Sequence, residues 1–296
     1  MKRFINPDKS TWKLLTKRSS ASYDSIEPLA KSIFKKVEKE GDLAIRGYTL
    51  KYDKVQLKSN IVSSDEISTA AQRIPKKLKI AIQKAKNNIE VFHKAQITST
   101  VQVETQPGVS CWQKKLPIEK VGLYIPGGSA PLFSTVLMLA VPAKIAGCNE
   151  VILCSPPNNK GMLPDVILYT ANLCGVDRIF KVGGMQAIAG MTLGTESIPK
   201  VDKIFGPGNQ FVTVAKQLAT QYQVAIDMPA GPSELMVVAD KTGNPDFIAS
   251  DLLSQAEHGP DSQVILVTNN IKIADTTFEK ISEQLENLER KVTAQK

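Results

Sequence analysis

Along residues 25–95 the apolar positions recur at three- and four-residue intervals, the period of a helix with one buried face. Ile26, Leu29, Ile33, Phe34 and Val37 form the first stripe, with Ser25 as its expected N-cap and Gly41 as its stop. Ser63 and Glu66 have capping-box spacing ahead of Ile67, Ala70, Ala71 and Ile74; Pro75 interrupts, and Leu78, Ala81, Ile82, Ala85, Ile89 and Phe92 continue as a second helix. A short strand is expected over 109–112. From residue 120 the pattern changes. Short apolar runs at 121–125, 151–154, 178–182, 203–205, 235–239 and 264–267 alternate with amphipathic stretches, and that alternation is the mark of a parallel sheet. Six such strands are enough for a doubly wound α/β core behind a helical N-terminal region. Residues 269–296 read as one last helix.

The composition narrows the class. With 42% hydrophobic and 22% charged residues over 296 positions, and 18 Gly and 17 Pro dispersed rather than clustered, the chain is globular and neither disordered nor collagen-like. Its longest strongly apolar stretch, 136–143, falls well short of the roughly 18 residues of a membrane span, and residues 1–11 hold no signal-peptide core. A cytoplasmic protein with no membrane partner is expected. Cys111, Cys148, Cys154 and Cys174 show no Cys-x-x-Cys spacing, so reduced, mostly buried thiols fit. The net charge of +8 is uneven: residues 1–120 carry 24 basic and 12 acidic side chains, +12, whereas 121–296 carry 13 and 17, −4. Lys76, Lys77, Lys79, Lys84 and Lys86 fall on an expected helix with little aromatic interleaving, which reads as a solvated face and not as a nucleic-acid surface. His93, without a His, Cys or acidic neighbour at helical spacing, is assigned no chemistry.

Ligands of an open parallel sheet bind beyond the carboxyl ends of its strands. Here those ends carry Pro126-Gly127-Gly128-Ser129, Gly183-Gly184-Met185-Gln186 and Gly206-Pro207-Gly208-Asn209, each opening an expected helix whose N-terminal N–H groups suit a phosphate or carboxylate. Three glycine corners on one edge point to a nucleotide or other anion. The third approaches a dinucleotide fingerprint, with Asp227 where a ribose-binding acid belongs, but Phe211 stands in place of its last glycine. Near the end of a further helix, Gln255 and His258 are three residues apart, with Asp251 one turn earlier. Two readings stand there: a capping or surface histidine, or two ligands of a divalent metal that needs one or two more.

The blocks Tyr124-Ile-Pro-Gly-Gly-Ser-Ala-Pro-Leu-Phe-Ser-Thr-Val-Leu-Met, Val182-Gly-Gly-Met-Gln-Ala-Ile-Ala, Ile204-Phe-Gly-Pro-Gly-Asn, Asp227-Met-Pro-Ala-Gly-Pro-Ser-Glu and Leu253-Ser-Gln-Ala-Glu-His-Gly-Pro-Asp-Ser-Gln, in this order, closely resemble histidinol dehydrogenase. That family oxidises L-histidinol through the aldehyde to L-histidine with two NAD and zinc, as a cytoplasmic homodimer. The resemblance places Tyr124, Gln186 and Asn209 at NAD contacts, Ser233 at a substrate contact, and Gln255 and His258 at zinc ligands bordering the substrate. It implies incomplete Rossmann-like doubly wound parallel sheets with a helical N-terminal region: 1–120 mainly helical and contributing to a first globular domain, 121–233 a Rossmann-like NAD-binding domain, and 234–296 a return to the first domain with part of the zinc and substrate site. The family pattern continues with a Glu-His acid–base pair, an Asp and a His on zinc, and a substrate-binding Glu; this sequence ends at Lys296, and its two histidines are His93 and His258. No catalytic acid–base residue is therefore assigned, and little turnover is expected. Two alternatives remain: an aldehyde dehydrogenase-like enzyme with Cys154 or Cys148 as nucleophile, and a nucleotide-binding protein without catalysis.

Overall fold

The protein is seen here in a computed structural model that describes residues 2–17, 25–127, 131–229, 234–259 and 262–295. Two units are distinguished: Tyr23–Pro229, and Met1–Ser22 together with Ala230–Lys296. The short helix α1 (Lys9–Leu15), capped by Asp8, belongs to the second.

In the larger unit, α2 (Glu27–Glu40) starts later than the sequence suggests, with Ile26 rather than Ser25 as N-cap. A cap at Ser25 would have faced Pro28 three residues on, which has no N–H to offer. Gly41, at φ +52°, ends α2 and leads directly into α3 (Asp42–Asp53). The capping box forms at the start of α4 (Ser64–Arg73): Ser63 N–H donates to Glu66 Oε2 at 2.9 Å and Glu66 N–H to Ser63 Oγ at 3.2 Å. Pro75 separates it from α5 (Lys76–Ala95). Between α5 and the sheet stands an exposed antiparallel hairpin, β1 (Val101–Gln106) and β2 (Val109–Gln113), of which only the second strand was legible in the sequence.

The unit's main sheet follows as β3 (Lys120–Tyr124), α6 (Phe133–Ala146), β4 (Glu150–Ser155), α7 (Asp165–Leu173), β5 (Arg178–Lys181), α8 (Gly184–Leu193), β6 (Lys203–Phe205), α9 (Gln210–Ala219) and β7 (Ala225–Ile226). The order is β5-β4-β3-β6-β7, parallel throughout. The chain winds outward from β3 to β5, returns to β6 and winds the other way, which puts the switch point between β3 and β6. Alternate strand residues feed two cores. Ile152, Cys154 and Phe180 pack with Ile33 and Phe34 of α2 and Ile188 of α8, while Val121, Leu123, Leu153 and Ile179 pack with Ile82 of α5, Leu137 of α6 and Ile167 of α7. The amphipathic N-terminal helices thus supply outer layers on both faces of this sheet, which is why their buried stripes are one-sided.

In the smaller unit, β8 (Glu234–Ala239) and β9 (Gln263–Thr268) form a separate two-stranded parallel sheet joined by α10 (Pro245–Ala256), followed by α11 (Ile271–Glu286) and α12 (Lys291–Ala294). The six expected strands therefore do not share one sheet: four join β7 in the larger unit and two pair by themselves. Ile248, Leu252 and Ile273 form the buried core on one face, and Met236, Val238 and Val267 are exposed on the strands. The single helix expected over 269–296 is two: α11 closes at Asn287, whose N–H turns back to Gln284 and Leu285, and a new turn begins at Lys291. Asn competes for main-chain partners and favours helix ends. No helix among the described residues is long and apolar enough to cross a membrane.

Candidate functional site

Because the five strands of the larger unit are parallel, the segments after them meet at one edge: 125–127 after β3, Pro156 after β4, 182–184 after β5, 206–209 after β6 and Asp227 after β7. Their glycines answer first to close neighbours within the protein. A Cβ on Gly127 would stand 2.5 Å from Pro156 Cγ, and one on Gly183 2.3 Å from Pro156 Cβ, so both corners fold against that proline. Gly206, at φ +134°, is closer still: a Cβ there would lie 2.1 Å from the carbonyl oxygen of Tyr124.

Tyr124, the last residue of β3, is 4% exposed, and its hydroxyl accepts the N–H of Gly184 at 3.0 Å. That bond takes up a free N–H at the start of α8, one that the sequence reading offered to an anion. Burial, with the nearby charge of Asp53 adding to it, pushes the phenol up to about 12. It therefore stays protonated at neutral pH, and with its oxygen occupied by Gly184 it has a hydrogen left to donate. Gln186, 1% exposed, lies behind Gly184: a Cβ on that glycine, at φ +61°, would come within 2.9 Å of Gln186 Oε1. Tyr124, Gly184 and Gln186 are thus brought together.

Asp53, at the end of α3, was not found from the sequence, where it is one acid in a charged stretch. Its Oδ2 is buried without a hydrogen-bond partner among the described residues, and burial raises its carboxyl to about 6. Because the folded state holds this proton more tightly than the unfolded chain, at about 3.9, the stability it contributes is full below pH 4 and is lost as pH rises through about 6. Asp53→Asn is expected to flatten that slope in thermal melts between pH 4 and 7. At pH 8 it should gain about 1 kcal/mol, allowing for the group's partial exposure. An unchanged slope would exclude Asp53 as its source.

Asn209 caps α9, its Oδ1 accepting Val212 N–H at 3.1 Å. Phe211 is 39% exposed; Val212 makes the close contact, its Cγ1 2.3 Å from where a Cβ on Gly208 would be. The phenylalanine therefore does not obstruct the packing that the fingerprint's last glycine normally allows. Asp227, by contrast, is not free for a ribose. Its Oδ2 accepts Gly206 N–H at 2.8 Å and its Oδ1 pairs with Lys216, whose Nζ also donates to Gly206 O at 2.7 Å. Lys216 carried no signal in the sequence beyond a lysine on an otherwise apolar helix face.

Gln255 and His258 belong to the smaller unit. Gln255 is in the last turn of α10, partly buried, and its Nε2 donates to Ser262 Oγ at 3.4 Å; His258 lies past the helix end, exposed, its N–H donating to Gln255 O at 3.1 Å. The two are three residues apart, but the helix ends at Ala256, between them. Zinc takes three or four donors; among the described residues no three His, Cys, Asp or Glu side chains converge, so Gln255 and His258 are at most part of a donor set that the described residues do not complete. Ser233, Gly128 and Ser129 lie outside the described residues. Cys154 is fully buried and burial pushes its thiol far up, Cys148 is raised the same way, and neither is a poised nucleophile. Cys111, expected among buried thiols, is exposed on the hairpin. His93 Nδ1 sits 2.8 Å from Gln96 Oε1, a local surface contact.

Comparison with known proteins turns this geometry into a family assignment. The histidinol dehydrogenase family profile matches residues 16–296. The histidinol dehydrogenase of Bacteroides thetaiotaomicron is 54% identical over 296 residues, which are all of this chain and 69% of that protein. That of Salmonella typhimurium is 55% identical over 283 residues, 95% of this chain and 64% of the other. The crystal structure of histidinol dehydrogenase from Elizabethkingia anophelis superposes with a TM-score of 0.94 at 52% identity, covering 98% of this chain and 67% of that one. The chain spans about two thirds of the length of these relatives. At such identity, and with the fold in common over nearly every residue present, the chain belongs to the histidinol dehydrogenase family of oxidoreductases.

Proposed function

We propose that the chain takes part in the NAD-dependent oxidation of L-histidinol to L-histidine. Tyr124, Gln186 and Asn209 contact the dinucleotide, Ser233 the substrate, and Gln255 and His258 supply two of the ligands of a zinc ion beside it. The supporting observation is the buried, protonated phenol of Tyr124 next to Gln186, at the end of the strand that borders the switch point where doubly wound sheets take their nucleotides. The dinucleotide, when bound, supplies the hydride acceptor. Each of two rounds would remove one hydride from the hydroxymethyl-derived carbon, and water added to the aldehyde would provide the second oxygen, so that one alcohol, one water and two oxidised dinucleotides would give one carboxylate, two reduced dinucleotides and three protons. The protein's own part in this unit is positional: Gly184 fixes the phenol, and the phenol offers its hydrogen to a ligand oxygen. The reading extends to a cytoplasmic homodimer, and light scattering of the purified chain tests the dimer.

Calorimetric titration with NAD tests the site. Binding is expected in the original chain, and Tyr124→Phe should weaken it about tenfold, the value of one hydrogen bond, while melting stays cooperative at a somewhat lower temperature because the Gly184 N–H loses its acceptor. No binding at millimolar NAD would end the proposal. Turnover is a separate matter. With two zinc donors and no assigned acid–base pair, the 296 residues assayed by themselves with histidinol, NAD and added zinc should form NADH about 10²–10⁴ times more slowly than a full-length relative. A comparable rate would mean that the groups present suffice.

A further inference from the structure

Lys216 lies two turns into α9, 5% exposed, where the helix period calls for an apolar residue. A buried ion pair is poorly justified by stability alone, since well-packed apolar side chains of the same volume do as well or better. What this pair holds is specific. The lysine ammonium donates to Gly206 O at 2.7 Å and pairs with Asp227, and the other carboxylate oxygen accepts Gly206 N–H at 2.8 Å. Both main-chain polar groups of one residue are thus gripped by one pair of charges, drawn from α9 on one side and the end of β7 on the other. That residue is the first of the 206–209 corner and is pressed against the main chain of Tyr124, while Asn209 at the far end is fixed on Val212.

We infer that the Lys216–Asp227 pair is a positioning device for the dinucleotide corner: it sets the main chain of 206–209 and the end of β3, and its loss loosens nucleotide binding before it unfolds the sheet. This rests on the reading above that NAD binds at Tyr124, Gln186 and Asn209. The double variant Lys216→Met/Asp227→Asn removes both charges together and keeps an acceptor for Gly206 N–H, so no orphaned charge is left behind.

Three measurements on the full chain decide the matter: thermal melting, hydrogen exchange of residues 204–212, and the NAD dissociation constant by calorimetry. Melting is expected to remain cooperative, amide exchange in that segment to quicken at least tenfold, and NAD to bind at least tenfold more weakly. Lys216→Arg, which retains the cation, should recover part of the affinity, as a general loosening of the core would not allow. Unchanged affinity in the double variant, with NAD still binding the original chain, overturns the inference whatever the exchange shows. If the original chain binds no NAD, the functional reading fails by itself, and unchanged exchange in the double variant would overturn the grip on the corner independently. Should the double variant not melt cooperatively, Lys216→Gln/Asp227→Asn, which is equally neutral and keeps a donor for Gly206 O, carries the same two readouts, and affinity and exchange equal to the original would be equally fatal.

Discussion

Gly206→Ala is expected to abolish measurable NAD binding and to destabilise the protein by at least about 4 kcal/mol, a loss reserved for changes with a definite steric cause. The added carbon would stand 2.1 Å from the Tyr124 carbonyl oxygen, 2.9 Å from its carbon and 3.1 Å from its nitrogen. All three are main-chain atoms in a strand paired on both sides, so no rotamer change relieves the clash. The residue's φ of +134° is a second barrier to any side chain. Either the corner lifts off β3 or the end of β3 breaks from its neighbours, and both displace the phenol. Gly47→Ala is the control. It sits within α3 with open space around it, and there alanine should stabilise by about 0.5–1 kcal/mol through helix propensity alone. Denaturant unfolding of both variants checks the contrast; equal effects would mean that the close approach at Gly206 is not rigid.

Lys216→Met alone should be worse than its double variant with Asp227→Asn. The single change leaves the Asp227 carboxylate, with 28% of its side chain exposed, beside an apolar helix face, and it leaves Gly206 O without its donor. Breaking one side of a buried pair typically removes about 3 kcal/mol. For a unit of this size that corresponds to a melting temperature lower by about 8 °C. Adding Asp227→Asn removes the uncompensated charge and should restore about half. The sign of the coupling is the test: a double variant less stable than Lys216→Met would mean that the carboxylate's bond to Gly206, rather than its pairing with the lysine, carries the stability.

Several features of the site were legible from the sequence, and the reasons differ. The glycine corners could be placed because strand ends and helix starts are visible in the apolar runs. Their purpose could not: Gly127 and Gly183 make room for Pro156, a residue that attracted no notice, and Gly206 for the main chain of Tyr124. Phe211 seemed to spoil the fingerprint because the packing face of α9 was unknown, and that face runs through Val212, Ala215 and Ala219 instead. Asp227 sat at the right distance for a ribose acid, yet distance along a chain does not say what else is within reach, and here Lys216 and Gly206 are. Asp53 needed the fold to bring α3 to the phenol.

What the sequence by itself determined is the set of features held by neighbours a few residues apart: the capping box of Ser63 and Glu66, the breaks at Gly41 and Pro75, the existence of the strands in 121–205, and the ordered motifs that mark the family. Only the tertiary structure decided the addition of β7 to the sheet, the separation of β8 and β9 from it, and the ion pair that closes on Gly206. The physical reason is range. Caps and breaks are fixed by hydrogen bonds within one turn, whereas strand order and buried charge pairing depend on which surfaces meet after the chain has crossed the sheet and come back.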